Sequence, residues 1–101
     1  PSDNGDLVCR NWPYPPKLQK GPVSGEGADP IVILGTTGDP ATPYNWAQSL
    51  NAQISNSVLL TLIGEGHLAY DEGLSCINRP VDNYLISGEL PMQGITCEMA
   101  K

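Results

Sequence analysis

Two short, almost wholly apolar runs constrain the fold of this chain more than any other feature. IVILG occupies residues 31–35 and SVLLTLI occupies residues 57–63. Runs of this length and composition are typical of parallel strands that are covered on both faces. Parallel neighbours need a crossover between them, so the sequence predicts a strand, a helix and a second strand in a right-handed βαβ unit.

Helical signals follow each predicted strand. Thr42 looks like an N-cap that precedes a proline at the first helical position, and apolar residues then recur at helical spacing, which predicts a helix over residues 43–54. A second apolar stripe predicts a helix over residues 75–87, with Pro80 in or near its first turns and Gly88 as its C-terminal stop. The predicted fold class is therefore α/β, with a parallel βαβα unit.

The first thirty residues differ in composition from the rest. They are rich in proline and glycine, which block long helices and ladder-paired strands. We interpret residues 1–30 as an extended segment on the surface and residues 31–101 as the α/β portion. The strand at 31–35 lacks a second neighbour in this chain, so we expect the chain alone to be marginally stable or to self-associate.

Charge and composition exclude several classes of function. The net charge of -6 and the pI near 4.3 have the wrong sign for binding a phosphate backbone, so no nucleic-acid partner is expected. No apolar run approaches the roughly 20 residues that span a bilayer. A nucleotide-binding module that uses the glycines of GTTGDP, residues 35–40, ranks last because the chain has no G-x-G-x-x-G or Walker pattern.

An acid and the only histidine occupy equivalent positions after the two predicted strands. Asp39 lies four residues after Gly35, and His67 lies four residues after Ile63. The carboxyl ends of parallel strands meet at one edge of a sheet, so these side chains are expected to lie together. A carboxylate that accepts from the Nδ1–H of an imidazole fixes its tautomer and leaves Nε2 free to take a proton from a nucleophile.

Plainer interpretations stay open for both residues. Asp39 stands between Gly38 and Pro40 in a sequence that is also a common turn signal. His67 has three acids close to it in sequence that could pair with it instead of Asp39: Glu65, Asp71 and Glu72.

Three longer stretches resemble a known family: DPIVILGTTGDPATPYNWAQSL, SVLLTLIGEGHLAY and SCINRPVDNYLISGELPMQGITC. They are similar to the C-terminal domain of the secreted tripeptidyl-aminopeptidase-like (TAP-like) branch of the α/β-hydrolases, and the D-P-x-T-P and G-x-G-H elements are the most specific parts. The resemblance implies that Asp39 and His67 are the acid and base of a Ser-Asp-His triad. It leaves Thr42 as a loop and cap residue.

The nucleophile of such a triad is missing. The fold places it in a G-x-S-x-G elbow, which this sequence lacks. Ser24 in GPVSG, residues 21–25, has glycine at the wrong offset and no apolar strand before it. We therefore expect the chain to be the C-terminal part of a longer enzyme, inactive alone, with the serine in the upstream part.

The cysteine count is odd. A disulfide between Cys76 and Cys97 is expected to fix the tail to the last helix, and Cys9 would pair with a cysteine upstream. Three thiols in a cytosolic protein are the alternative. No C-x-x-C pair suggests zinc, and no metal or cofactor is expected.

The function predicted from these features is that of a secreted or cell-envelope serine peptidase of bacterial type. It would release short N-terminal peptides and bind its peptide substrate together with the upstream part of the protein. An esterase or lipase of the same fold and a non-catalytic structural or binding domain are the alternatives.

Overall fold

The computed structural model of the protein describes residues 9–18 and 21–99. The elements follow one another as β1 (Ile31–Gly38), α1 (Tyr44–Gln53), β2 (Ser57–Glu65), a 3₁₀ turn (Tyr70–Glu72), α2 (Ser75–Ser87) and β3 (Thr96–Glu98). The strands form a parallel sheet in the order β1-β2-β3.

The pairing of β1 with β2 confirms the predicted βαβ unit. The two strands run in parallel register from Ile31 beside Ser57 to Thr36 beside Leu62. Both continue past their apolar runs because polar groups extend the pairing: the Thr37 hydroxyl lies 3.4 Å from the Gly64 carbonyl oxygen and 3.1 Å from its amide nitrogen. The strands therefore end close to the residues of the candidate site.

The third strand was not predicted, because the sequence after the last helix was treated only as a tail that carries Cys97. β3 pairs with β2 through three residues, Thr96–Glu98, and only Cys97 among them is buried. Hydrogen bonds from Thr61 N–H to the Ile95 carbonyl and from Met99 N–H to the Ile63 carbonyl, both 2.9 Å, frame this pairing. A three-residue strand with one buried side chain is too short to produce a readable periodicity.

β2 is the centre of the core. Leu60 and Leu62 are fully buried and pack on one face of the sheet with Ile77 of α2. Leu59 is also buried, which gives the strand cover on its other face. Burial of each of these side chains contributes about 2 kcal/mol, so the central strand supplies a large share of the apolar stabilisation of the unit.

Helix α1 begins one residue later than expected. Its N-cap is Pro43, with no side-chain cap, so the prediction of Thr42 as the N-cap was wrong. The Thr42 hydroxyl is hydrogen-bonded to the Asp39 carboxylate instead. The helix packs close to β1 at Gly35, where a Cβ atom would lie 2.9 Å from the Tyr44 ring, which only glycine avoids.

Helix α2 has the predicted bounds. Pro80 lies in its second turn, where it gives up one backbone donor and the helix continues. Gly88 ends the helix in the left-handed conformation, φ 77°, and its N–H donates to the Tyr84 carbonyl at 2.9 Å. This is the predicted glycine stop.

Within the N-terminal segment, residues 21–30 are irregular and lie against the α/β portion. Val23 N–H donates to the side chain of Gln53 at 2.9 Å, and Tyr84 OH donates to the Pro30 carbonyl. These contacts are with the amino-terminal side of the sheet, away from the candidate site. In the described ranges, neither helix has the length and hydrophobicity needed to cross a membrane.

A disulfide joins Cys76 of α2 to Cys97 of β3, as predicted. Cys9 is an exposed free thiol in this structure, and its pairing with an upstream cysteine stays a prediction. The bond closes a loop with a sequence separation of 21 and ties the short edge strand to the helix above it.

The double variant C76A/C97A is expected to lower the free energy of unfolding by about 3 kcal/mol, because the loop is no longer closed in the unfolded chain. Urea unfolding under non-reducing conditions measures this change. Peptide mapping that finds both Cys76 and Cys97 as free thiols in the native protein would contradict the bond.

β1 has a partner on one side only among the described residues. Apolar side chains flank its open edge, and Trp46 of the neighbouring helix is 59% exposed. We therefore predict that the 101-residue chain alone self-associates or unfolds readily at micromolar concentration. Sedimentation and thermal melting of the isolated chain test this, and a monomer with a sharp, high melting transition would contradict it.

Candidate active site

The site lies at the carboxyl edge of the sheet, where β1 and β2 end side by side. Asp39 is the first residue after β1, and His67 is the second residue after β2. Asp39 N–H donates to the Thr36 carbonyl at 3.3 Å, which turns the chain tightly out of the strand. Gly66 takes φ 135°, a conformation that favours glycine, and so redirects the chain immediately before His67.

The structure brings the side chains of Asp39 and His67 into contact. His67 Nδ1 lies 3.1 Å from both carboxylate oxygens of Asp39. The Asp39 side chain is 5% exposed and the His67 side chain is 51% exposed, so the acid is covered and the imidazole faces outward. Nε2 makes no hydrogen bond to any described residue, so this nitrogen stays accessible to a reacting group.

The Asp39 carboxylate accepts hydrogen bonds from its own loop. Oδ1 accepts from Ala41 N–H at 2.8 Å and from Thr42 N–H at 2.9 Å, and Oδ2 accepts from the Thr42 hydroxyl at 2.8 Å. Desolvation acts to raise the pKa of Asp39, but the hydrogen bonds from Thr42, Ala41 and His67 outweigh it and hold this pKa well below its usual range. Asp39 is therefore ionised in the folded protein at neutral pH.

The acids near His67 in sequence do not pair with it. Within the described structure neither Glu65 nor Asp71 nor Glu72 makes a hydrogen bond or ion pair with the imidazole, so the local-pair interpretation was wrong. The reason is the direction of the chain after Gly66, which points the imidazole across to the β1 loop. The partner of His67 is therefore determined by which side chains lie near it at the sheet edge, and not by which acids are near it in the sequence.

The loop that carries His67 is anchored to α2. Tyr70 OH donates to Asp82 Oδ1 at 2.5 Å, and this bond to a carboxylate raises the pKa of Tyr70. Ala69, which lies between His67 and Tyr70 in the chain, is buried in the core. The position of His67 is therefore fixed by its contact with Asp39 and also by the buried Ala69 and the Tyr70–Asp82 hydrogen bond, which anchor its loop.

An open cleft of about 300 Å³ lies beside the pair. Its walls include Asp39 and His67 and are otherwise mostly apolar, with Trp46, Leu50 and Leu68 among the larger side chains. The cleft follows the open edge of β1, since Ile33, Leu34 and Gly35 also line it. A group that reacts at Nε2 can therefore approach from this side.

Ser24 lies at the other end of the sheet. Its neighbour Gly25 packs against Ile31 and Ile54, at the amino end of β1. β1 has eight residues, which separates that end from His67 by about 25 Å. The Ser24 hydroxyl also accepts the Glu26 N–H at 3.4 Å, so the structure agrees with the rejection of Ser24 as a nucleophile.

Sequence reasoning missed two parts of this arrangement. The first is the Thr42 hydroxyl, for which the D-x-x-T spacing was an available signal because a threonine three residues after an aspartate can bond back to it. The second is the Tyr70–Asp82 bond, which joins two elements and leaves no local pattern. Among residues 9–18 and 21–99 no cluster of three or more His, Cys, Asp or Glu is arranged to hold a metal ion.

Comparison with known proteins places this chain in a family. The family described as TAP-like protein matches residues 2–97. The chain is 44% identical over 90 residues to serine protease Hip1 of Mycobacterium tuberculosis and 34% identical over 90 residues to carboxylesterase B of the same species, with 89% of the chain covered in each. It is 32% identical over 93 residues, 91% of the chain, to tripeptidyl aminopeptidase of Streptomyces lividans.

The chain spans 17% of the length of each of these relatives. The match lies in their C-terminal portion, and the parallel sheet with its helices is the corresponding part of an α/β-hydrolase fold. Both the family match over nearly the whole chain and the sheet topology agree with the resemblance seen in the D-P-x-T-P and G-x-G-H elements. The chain therefore belongs to the TAP-like family of α/β-hydrolases.

Proposed function

We propose that this chain supplies the acid and base of a Ser-Asp-His triad in an exported serine peptidase, with the nucleophile in another part of the protein. The observation that carries the proposal is the contact of His67 Nδ1 with the covered Asp39 carboxylate, 3.1 Å away, while Nε2 is unbound at the sheet edge. The Cys76–Cys97 disulfide supports export, because such bonds persist in oxidising compartments.

The chemistry follows from the two nitrogen atoms of His67. Nε2 takes the proton of the serine hydroxyl as its oxygen bonds to the substrate carbonyl carbon, and then gives that proton to the leaving amine as the C–N bond breaks. Water repeats the sequence on the acyl-enzyme and releases the acid product. Asp39 stays ionised throughout and stabilises the imidazolium.

The substrate we propose is a peptide from which a short N-terminal unit is released. Relatives named serine protease and tripeptidyl aminopeptidase support this choice. An esterase is the second candidate, because a relative named carboxylesterase B is 34% identical over 90 residues. The two activities share one triad and differ only in the leaving group, an amine or an alcohol.

The test uses the full-length protein, a fluorophosphonate probe, tripeptidyl and aminoacyl amides, and a short-chain ester. A peptidase cleaves the tripeptidyl amide, and the probe labels one serine outside this chain. Turnover of the ester alone would favour the esterase, and the absence of both labelling and turnover would favour a non-catalytic domain. The 101-residue chain alone should hydrolyse none of them, since the acid and base then have no nucleophile to activate.

A further inference from the structure

The Thr42 hydroxyl lies between the two residues of the proposed pair. Its oxygen is 2.8 Å from Asp39 Oδ2 and 3.5 Å from His67 Nδ1. The backbone N–H of the same residue donates to Asp39 Oδ1 at 2.9 Å. Thr42 therefore holds both oxygens of one carboxylate and also faces the imidazole nitrogen that this carboxylate binds.

This hydroxyl has no role in capping the helix. Pro43 occupies the N-cap position of α1, and no side chain makes a cap hydrogen bond there. The position of Thr42 next to a helix therefore does not explain its hydroxyl, whose hydrogen-bond partners among the described residues are Asp39 and His67.

The direction of each hydrogen bond follows from the charge of Asp39. An ionised carboxylate only accepts, so the Thr42 O–H donates to Oδ2, and its oxygen presents a lone pair to His67 Nδ1. Nδ1 then faces three oxygen atoms, Asp39 Oδ1 and Oδ2 at 3.1 Å and Thr42 Oγ1 at 3.5 Å. Three acceptors around one ring nitrogen favour the tautomer that carries its proton there.

The geometry points to Thr42 as a positioning residue of the active site, one that holds the Asp39 carboxylate in place and favours the Nδ1–H tautomer of His67. The assignment rests on the proposed triad. It adds that the threonine of D-P-x-T-P acts through its hydroxyl. Without this hydroxyl, the imidazole is the one remaining donor to Oδ2 among the residues that the structure describes. The carboxylate is then free to turn away from the ring.

The experiment compares Thr42→Val with Thr42→Ser in the full-length protein. Valine keeps the shape and the backbone N–H but removes a hydroxyl bond to a carboxylate, so kcat is expected to fall about 10- to 100-fold with KM within about twofold. Serine keeps the hydroxyl and should restore kcat to within about threefold. Thr37→Val is the matched control, because it removes a hydroxyl that bridges β1 and β2 at Gly64 without touching the pair.

A spectroscopic reading separates positioning from a structural effect. The ¹⁵N resonances of His67 report which ring nitrogen carries the proton, and Thr42→Val should increase the Nε2–H form while Thr37→Val leaves it unchanged. A Thr42→Val protein with wild-type kcat and wild-type ¹⁵N resonances would overturn the inference while the triad stood. Full activity in His67→Ala would instead overturn the proposed function on which it rests.

Discussion

Replacing His67 with alanine in the full-length protein is expected to reduce kcat by about 10⁶-fold, the size of loss seen when the histidine of a serine-protease triad is removed. Within the described chain, only His67 is placed to accept a proton at the sheet edge, and it does so at Nε2 while Asp39 holds Nδ1. The variant should fold, because the side chain is half exposed and carries little of the core. Steady-state rates on the best amide substrate measure the effect.

Asp71→Asn and Glu72→Gln are the controls for this variant. Both residues lie in or beside the 3₁₀ turn that follows His67, and both are exposed, but neither bonds to the imidazole. Each substitution removes one negative charge near the site and should change kcat by less than about threefold. A loss in either control as large as that in His67→Ala would point back to a local acid as the partner of the histidine.

The sequence was sufficient to predict the elements that have a long apolar run or a clear helical periodicity of apolar residues. The apolar runs at 31–35 and 57–63 identified the two long strands, and the stripe over 75–87 identified α2 with its bounds. β3 carries one buried residue and no pattern, and it forms only because the backbone of β2 offers a free edge to it. Its pairing is a property of the folded sheet and not of the local sequence.

The candidate site was predictable to the extent that sheet topology determines it. Asp39 and His67 are 28 residues apart in sequence, and only the rule that parallel strands end at one edge brings them together. Thr42 was assigned to the helix because threonine before proline is a common cap pattern. In the structure the Thr42 O–H donates to the Asp39 carboxylate, and a hydrogen bond to an ionised group is stronger than one between neutral groups.

Asp39→Asn in the full-length protein is expected to keep the fold and lower kcat on the order of 10⁴-fold. The amide oxygen can still accept from Ala41 and Thr42 N–H in place of Oδ1, so the loop keeps its backbone hydrogen bonds. The amide NH₂ then stands where Oδ2 was, facing His67 Nδ1, and it can only donate. The amide oxygen also lies near Nδ1 but already accepts from two backbone N–H groups, so the histidine is expected to shift its proton to Nε2, where it can no longer accept one from the nucleophile.

The acid stability of the same variant provides a measurement that does not depend on turnover. The pKa of Asp39 in the folded protein is below its ordinary value of 3.8, so its carboxylate stabilises the fold fully above that value. This contribution is lost as the pH falls from about 4 toward the lower folded pKa. Asparagine does not titrate, so the difference in unfolding midpoint between wild type and Asp39→Asn should narrow below pH 4.

The kcat of Asp39→Asn and its stability, taken together, decide whether Asp39 acts in catalysis or only forms a turn at the end of β1. A turn-forming role predicts that Asp39→Asn keeps kcat within a few-fold of wild type, because asparagine makes the same turn through its side-chain oxygen. A triad role predicts the large loss in kcat at pH 7, where the stability of the variant is still sufficient for folding. Loss of kcat in a variant that is still folded and melts cooperatively at pH 7 is therefore the result that assigns Asp39 to the chemistry.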